Sequence, residues 1–396
     1  MLRPVQVILG FLVVVSLCMF AAAYQPQERE RPSRETPFRT PPDLKTVPPE
    51  QWQRIDKSVK SALTYLASRQ DTDGSFPTNY SGQPAVTSLV VLAFLAAGEK
   101  PGVGEHGKRI ERAIDFVLDT QREDGLFYAD ATDGPIPPFE GGSHTATYNH
   151  AISCLMLCEA YGATDALQRF RMQTAIERGI ALARKMQLRK QHFPEDKGGF
   201  RYIQSVNLEQ GIGDADLSVT GWFMMFFRSA KNAGFSIPEE FVDEANAFVR
   251  RCYDPQRKAF WYALNGTARN TPSRGVTGAG IVCLTIGGKP DEEIARAAGQ
   301  WILDHPFDRY GGFLGNADRF HYGAYYCSQA MFLIGGDYWA KFYPVTAETL
   351  LVNQSPDGRW PPEQRFRDVR FGSEYTTALS VLTLSTAYQL LPIHQR

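Results

Sequence analysis

The chain has 396 residues, 43% of them hydrophobic and 21% charged, which is enough for a sizeable core. Its formal net charge is −1, so it lacks the basic footprint of a nucleic-acid binder. Its six cysteines, Cys18, Cys154, Cys158, Cys252, Cys283 and Cys327, form no Cys-x-x-Cys pair and read as buried apolar thiols rather than a disulfide framework.

Residues 1–23 read as an export signal. Arg3 supplies a positive start, 7–20 is a nearly continuous apolar run, and Ala21, Ala22 and Ala23 offer a small-residue cleavage site. Leu17 is too bulky for a lipoprotein site at Cys18. Left uncleaved, the same run would tie the protein to a membrane surface. The expected location is therefore periplasmic or extracellular. Residues 24–50 hold seven prolines and few apolar groups, and read as an extended, disordered linker. The remainder, 51–396, is read as one domain.

In that domain helices come in pairs. The first of each pair is amphipathic. Ile55, Val59, Ala62, Leu63 and Leu66 share one face, with Lys57, Lys60 and Arg69 on the other. Ile110, Ala113, Ile114, Val117 and Leu118 repeat the pattern, as do Ile176, Ile180, Ala183 and Leu188. Further copies run over 241–249 and 294–303, and a short one over 345–352. The second of each pair is apolar on nearly all sides, over 86–97, 151–161, 217–233, 276–286, 325–334 and 376–390. A helix apolar all round is a buried one, and none of these is long enough to cross a membrane. Six polar outer helices alternating with six apolar inner ones pack naturally as a closed ring within a ring. The fold class is all-α, an α/α toroid.

A turn motif marks the pairs. Gln70, Gly74 and Phe76 recur in the same spacing as Gln121, Gly125 and Phe127, and as Gln354, Gly358 and Trp360. Gly198-Gly199-Phe200 and Gly311-Gly312-Phe313 keep the turn and the ring, and Phe260 keeps the ring alone. The glycine suits a tight turn, the ring packs on helix ends, and the glutamine amide is positioned to meet free N–H groups at a neighbouring helix start.

These turns resemble the glutamine–tryptophan repeats of squalene and hopene cyclases, whose toroid the prenyltransferase β-subunits share. The resemblance covers about residues 52–392 as a repeat pattern and identifies the fold rather than the reaction. It implies a central cavity that binds isoprenoid chains. It also implies where an acid would sit. Class II cyclases protonate a double bond with the middle aspartate of Asp-x-Asp-Asp, and Asp214 and Asp216 match its first two acids while Leu217 replaces the last. The plainer role of Asp216 is to cap the helix that begins at Leu217. The zinc-binding Asp-x-Cys pair of protein prenyltransferases is missing, because Tyr325, Ile281 and Arg250 precede Cys327, Cys283 and Cys252.

Other residues at the inner-helix entrances are candidates for ligand contact. His144 and His150 flank one entrance, and His321 stands beside Tyr322, Tyr325 and Tyr326 at another. Tyr148, Trp222, Phe223, Phe226, Tyr325 and Tyr375 offer ring faces to a carbocation, or serve as core. His150, Cys154 and Cys158 share a helix face but lack the further ligands a metal needs, so no metal or cofactor is expected. Toroids also host glycan-active enzymes, for which Glu140, Asp214 and Asp216 are the nearest acids. The expected function is an exported, squalene-cyclase-like toroid that binds an apolar or isoprenoid small molecule, or a partner protein. A degenerate class II cyclase using Asp216, and a glycan-active lyase or hydrolase, are the alternatives. The sequence leaves oligomeric state open.

Overall fold

The structure, a computed structural model, describes residues 42–129, 142–191, 193–203, 215–265, 272–312, 314–315, 318–363 and 367–394. All of these belong to the unit Thr36–Arg396. Residues 1–41, which contain the expected signal and most of the expected linker, lie outside them.

Among the described residues twelve α-helices follow in order: α1 (Pro49–Ser68), α2 (Ala85–Ala96), α3 (Gly107–Asp119), α4 (Gly142–Ala160), α5 (Ala166–Gln187), α6 (Leu217–Asn232), α7 (Glu239–Arg251), α8 (Arg274–Ile286), α9 (Glu292–Leu303), α10 (Phe320–Ile334), α11 (Gly336–Val352) and α12 (Gly372–Leu384). The even-numbered helices are the inner ones. Every residue of α2 is buried, and α8 and α10 are nearly as enclosed. Each even helix packs on the next, and α12 packs back on α2, so the inner ring closes. The odd helices sheathe it, each turning its apolar face inward. The fold is the expected α/α toroid. Its strands among the described residues are one short antiparallel pair, β1 (Tyr253–Asp254) and β2 (Ala259–Phe260).

Two boundaries differ from the sequence reading. Order begins before residue 51. Asp43 caps a 3-10 turn over Leu44–Thr46, Val47 is buried, and Pro49 starts α1 at a position where a missing N–H costs nothing. The sixth outer helix is also longer than expected, because α11 runs through Pro344. The carbonyl of Pro344 accepts from the Gln51 side chain of α1 at 3.0 Å.

The turns hold the outer ring together. Gln70 donates its amide to the Gly74 carbonyl at 3.0 Å and to the Arg109 carbonyl of α3 at 2.9 Å. Gln121 donates likewise to Gly125 at 3.1 Å and to Ala175 of α5 at 2.9 Å. Gln354 donates to Gly358 at 2.8 Å and to Ser58 of α1 at 2.9 Å, which joins the last turn to the first helix. The amide thus meets carbonyls rather than the N–H groups first expected. Helical N–H groups are already paired, whereas each carbonyl keeps a second lone pair. A fourth staple was hidden in the sequence: Gln187 reaches Gly198 at 3.1 Å and Phe241 of α7 at 2.9 Å, across an inserted segment.

The ring residue of each turn is tied inward by its backbone. The N–H of Phe76 donates to Thr87 Oγ1 of α2 at 3.1 Å, and those of Phe200, Phe260 and Trp360 donate to Thr220, Thr277 and Thr377 at 3.0, 3.3 and 3.1 Å. These partners lie in the N-terminal halves of their helices. Inner-helix N-termini therefore gather on the face that carries the turns. Phe313, the ring of the fifth turn, lies outside the described residues. On the opposite face the C-terminal segment packs over the ring. Asn232, the last residue of α6, donates to the Pro392 carbonyl at 3.0 Å, and Leu391 and Ile393 are buried.

The turn glycines separate backbone strain from crowding. Gly358 has φ +94°, and a Cβ there would stand 2.4 Å from the Ser61 carbonyl oxygen of α1. Gly234 has φ +93° with nothing within 4 Å. Gly234→Ala is expected to lower unfolding free energy by about 1–2 kcal/mol, the left-handed penalty alone. Gly358→Ala adds a backbone collision and is expected to lower thermal stability clearly further. Equal melting temperatures for the two variants would contradict this account of ring closure.

Candidate functional site

The functional candidates converge where the inner helices begin. Asp216 is in extended conformation just ahead of α6, and its backbone N–H bonds the Phe200 carbonyl at 2.9 Å. Its Oδ1 accepts from the Val219 N–H at 2.9 Å and from the Ser218 hydroxyl at 2.7 Å. This is helix capping. Asp216 is fully buried, and its Oδ2 accepts no hydrogen bond. The nearest cation is Arg201, whose guanidinium nitrogen lies 4.0 Å from Oδ2. Burial pushes the carboxyl above the usual range, opposed by Arg201, by the two hydrogen bonds at Oδ1 and by the nearby Tyr262 hydroxyl. Asp214 lies outside the described residues, as does Glu140.

Tyrosines surround this acid. Tyr148 of α4 and Ser218 are 2.6 Å apart through their oxygens. The single hydroxyl hydrogen of Ser218 goes to Asp216, so Tyr148 donates to Ser218 and the three form one directed chain. Tyr202 and Tyr262 share a hydrogen bond at 2.6 Å, and the Arg201 guanidinium lies 5.0 Å above the Tyr202 ring. Tyr148, Tyr202, Tyr262, Tyr322 and Tyr375 are all partly exposed. Below them Trp222 and Tyr325 stack at 5.6 Å, with Tyr326 against Trp222 at 5.4 Å. These three are almost wholly buried, so at their level side chains fill the centre of the ring. The result is a tyrosine-lined mouth over a closed aromatic floor.

The two candidate histidines are part of the framework. His150 occupies the place that threonine holds in four other repeats: its Nδ1 accepts from the Phe127 N–H at 3.4 Å. Its Nε2 then carries the proton and donates to the Gly179 carbonyl at 3.2 Å. Burial lowers its pKa to about 4. His321 meets Ser380 Oγ at 3.0 Å and the Tyr310 hydroxyl at 3.2 Å. Tyr310 gives its own hydrogen to the Pro361 carbonyl, so His321 Nε2 donates to Tyr310, and in the neutral ring Nδ1 takes the Ser380 hydrogen that the Thr376 carbonyl, 2.8 Å away, would otherwise accept. Burial lowers the His321 pKa to about 3. Cys154 Sγ stands 3.9 Å from His150 Nε2, and burial pushes its thiol far up. Cys154, Cys158, Cys252, Cys283 and Cys327 are all buried and unpaired.

Sequence reasoning missed Arg201, Tyr202 and Tyr262. A signal was available: each tyrosine stands two residues beyond a turn ring, Phe200 and Phe260. It also missed Glu159 at the end of α4. Glu159 is buried, accepts from the Ser229 hydroxyl and from the Ile393 N–H, and burial raises its pKa to about 7.

Comparison of the sequence with family models and with characterised proteins finds no match. Comparison of the structure with solved ones does. The type II terpene cyclase MstE from Scytonema, as a variant in complex with merosterolic acid A (product), superposes with a TM-score of 0.55 at 15% identity, covering 87% of this chain and 100% of that one. A glycosidase variant gives a TM-score of 0.57 at 11% identity, again covering 87% and 100%. A possible member of the GH105 family from Klebsiella pneumoniae gives 0.54 at 12%, covering 85% and 93%. At such identities the likeness is one of fold, shared between a terpene cyclase and glycosidases.

The neutral histidines carry a pH signature. Unfolded, each binds a proton near the ordinary pKa of about 6.5; folded, they resist until about 4 and 3. Their contribution is complete above pH 6.5 and is lost as pH falls below it. Glu159 acts oppositely, its raised pKa costing stability as pH rises from the ordinary carboxylate range toward 7. Unfolding free energy from denaturant titration is expected to drop between pH 6.5 and 4. His321→Gln should flatten that drop, and an unchanged slope would contradict the neutral assignment.

Proposed function

We propose that this chain is a toroid whose mouth binds an apolar or isoprenoid small molecule. The carrying observation is the belt of five partly exposed tyrosines above the floor of Trp222, Tyr325 and Tyr326. Ring faces give a large apolar contact, while the hydroxyls other than the buried one of Tyr322 orient a ligand. Because the floor is filled, the ligand lies in the mouth and does not thread the ring. Packing of the C-terminal segment on the opposite face also supports the mouth as the working end. Export through residues 1–23 belongs to the same proposal. Geranylgeraniol is expected to bind the purified chain, and Tyr148→Ala with Tyr375→Ala to weaken it about tenfold or more. Binding of an oligosaccharide with none of the isoprenoid would overturn this reading in favour of a glycan-active toroid.

A second reading has its own support. The unbonded Oδ2 of buried Asp216, its raised pKa and the Tyr148–Ser218 chain are what a proton donor to a double bond would use. The superposed cyclase lends the precedent of fold. Asparagine caps helices as well as aspartate does, so Asp216→Asn separates the two roles. If Asp216 is the acid, turnover of a squalene-type substrate falls by at least about a hundredfold at unchanged melting temperature. If the rate is unchanged, Asp216 is only a cap.

A further inference from the structure

We propose that Arg201 holds the carboxylate of an acidic, apolar-bodied ligand at the ring mouth; this rests on the mouth being the ligand site. Of the arginines by inner-helix N-termini, Arg274 and Arg201 are largely buried, and they differ in one respect. Arg274, with 4% of its side chain exposed, donates to Asp318 at 2.9 and 2.7 Å, to the Pro306 carbonyl at 2.8 Å and to the Gly312 carbonyl, and lies 3.9 Å over the Phe307 ring. It is a satisfied structural charge. The Arg201 side chain is 15% exposed, and among the described residues nothing accepts a hydrogen bond from its guanidinium.

A largely buried guanidinium without hydrogen bonds is costly unless something completes it. Asp216 does not. Its Oδ1 is committed to Val219 and Ser218, and its Oδ2 stops 4.0 Å short. The planar fork of arginine matches a carboxylate in paired hydrogen bonds. The inner-helix N-termini gathered on this face favour a negative charge. A monoanionic carboxylate adds less charge beside Asp216 than a phosphate dianion would. The rings of Tyr202, Tyr262 and Tyr148 beside Arg201 suit an apolar body behind the carboxylate. Asp216 is a competitor for the same cation, so its charge weakens the ligand.

Calorimetric titration of the full chain with benzoate, benzyl alcohol and inorganic phosphate tests this. Benzoate is expected to bind at least tenfold tighter than benzyl alcohol, which has the same ring and no charge. Arg201→Gln should remove that advantage and leave benzyl alcohol unchanged. Asp216→Asn should tighten benzoate several-fold. If Arg201→Gln does not fold, Arg201→Lys, which keeps the charge and loses the fork, should weaken benzoate by an intermediate factor. Benzoate no tighter than benzyl alcohol, or indifferent to both Arg201 variants, overturns the proposal, and phosphate binding tighter than benzoate overturns the choice of carboxylate. Failure here with geranylgeraniol still bound leaves the mouth as a ligand site; failure of every probe removes both readings.

Discussion

The toroid depends on a side-chain amide reaching two carbonyls at once. Gln70, Gln121, Gln187 and Gln354 each bind the glycine of their own turn and a residue of the next outer helix. Three residues further along that helix, the turn glycine presses on another carbonyl: Arg112, Arg178, Glu244 and Ser61. Only a residue without a Cβ allows that approach. Each staple therefore fixes both the reach and the rotation of one repeat against its neighbour. The aromatic N–H then fixes the inner helix from the same turn, so one short segment sets three helices.

Much of this was legible in the sequence, because the fold repeats and repetition averages out local ambiguity. Inner helices were apolar on every side, and outer ones were striped. What escaped were substitutions of role. Lys258, with φ +57°, stands two residues before Phe260 and takes the left-handed place that glycine holds elsewhere. His150 replaces a threonine, and it looked like chemistry because histidine so often is. Gln187 was separated from Gly198 by an insertion. None of these is visible to a spacing rule, since the first two keep the contact and change the residue, and the third keeps the residue and changes the spacing.

The site was less legible for a different reason. Asp216 was found by resemblance, and the structure gives it a capping geometry that any short acid would adopt. Its distinction is environmental: complete burial and one oxygen without a donor. Arg201 and the paired hydroxyls of Tyr202 and Tyr262 come from two different turns, brought together only when adjacent repeats pack. Such a cluster has no local sequence signature, and the repeat offset from Phe200 and Phe260 is the nearest substitute.

The bond between Gln354 and Ser58 joins residues 296 apart in the chain. A ring sealed by that contact makes its first and last repeats neighbours. Without that contact the repeats would be an open row whose first outer helix has an unmatched edge. Sealing then couples the two ends, so loss of order in the final repeat loosens the first, although hundreds of residues separate them along the backbone.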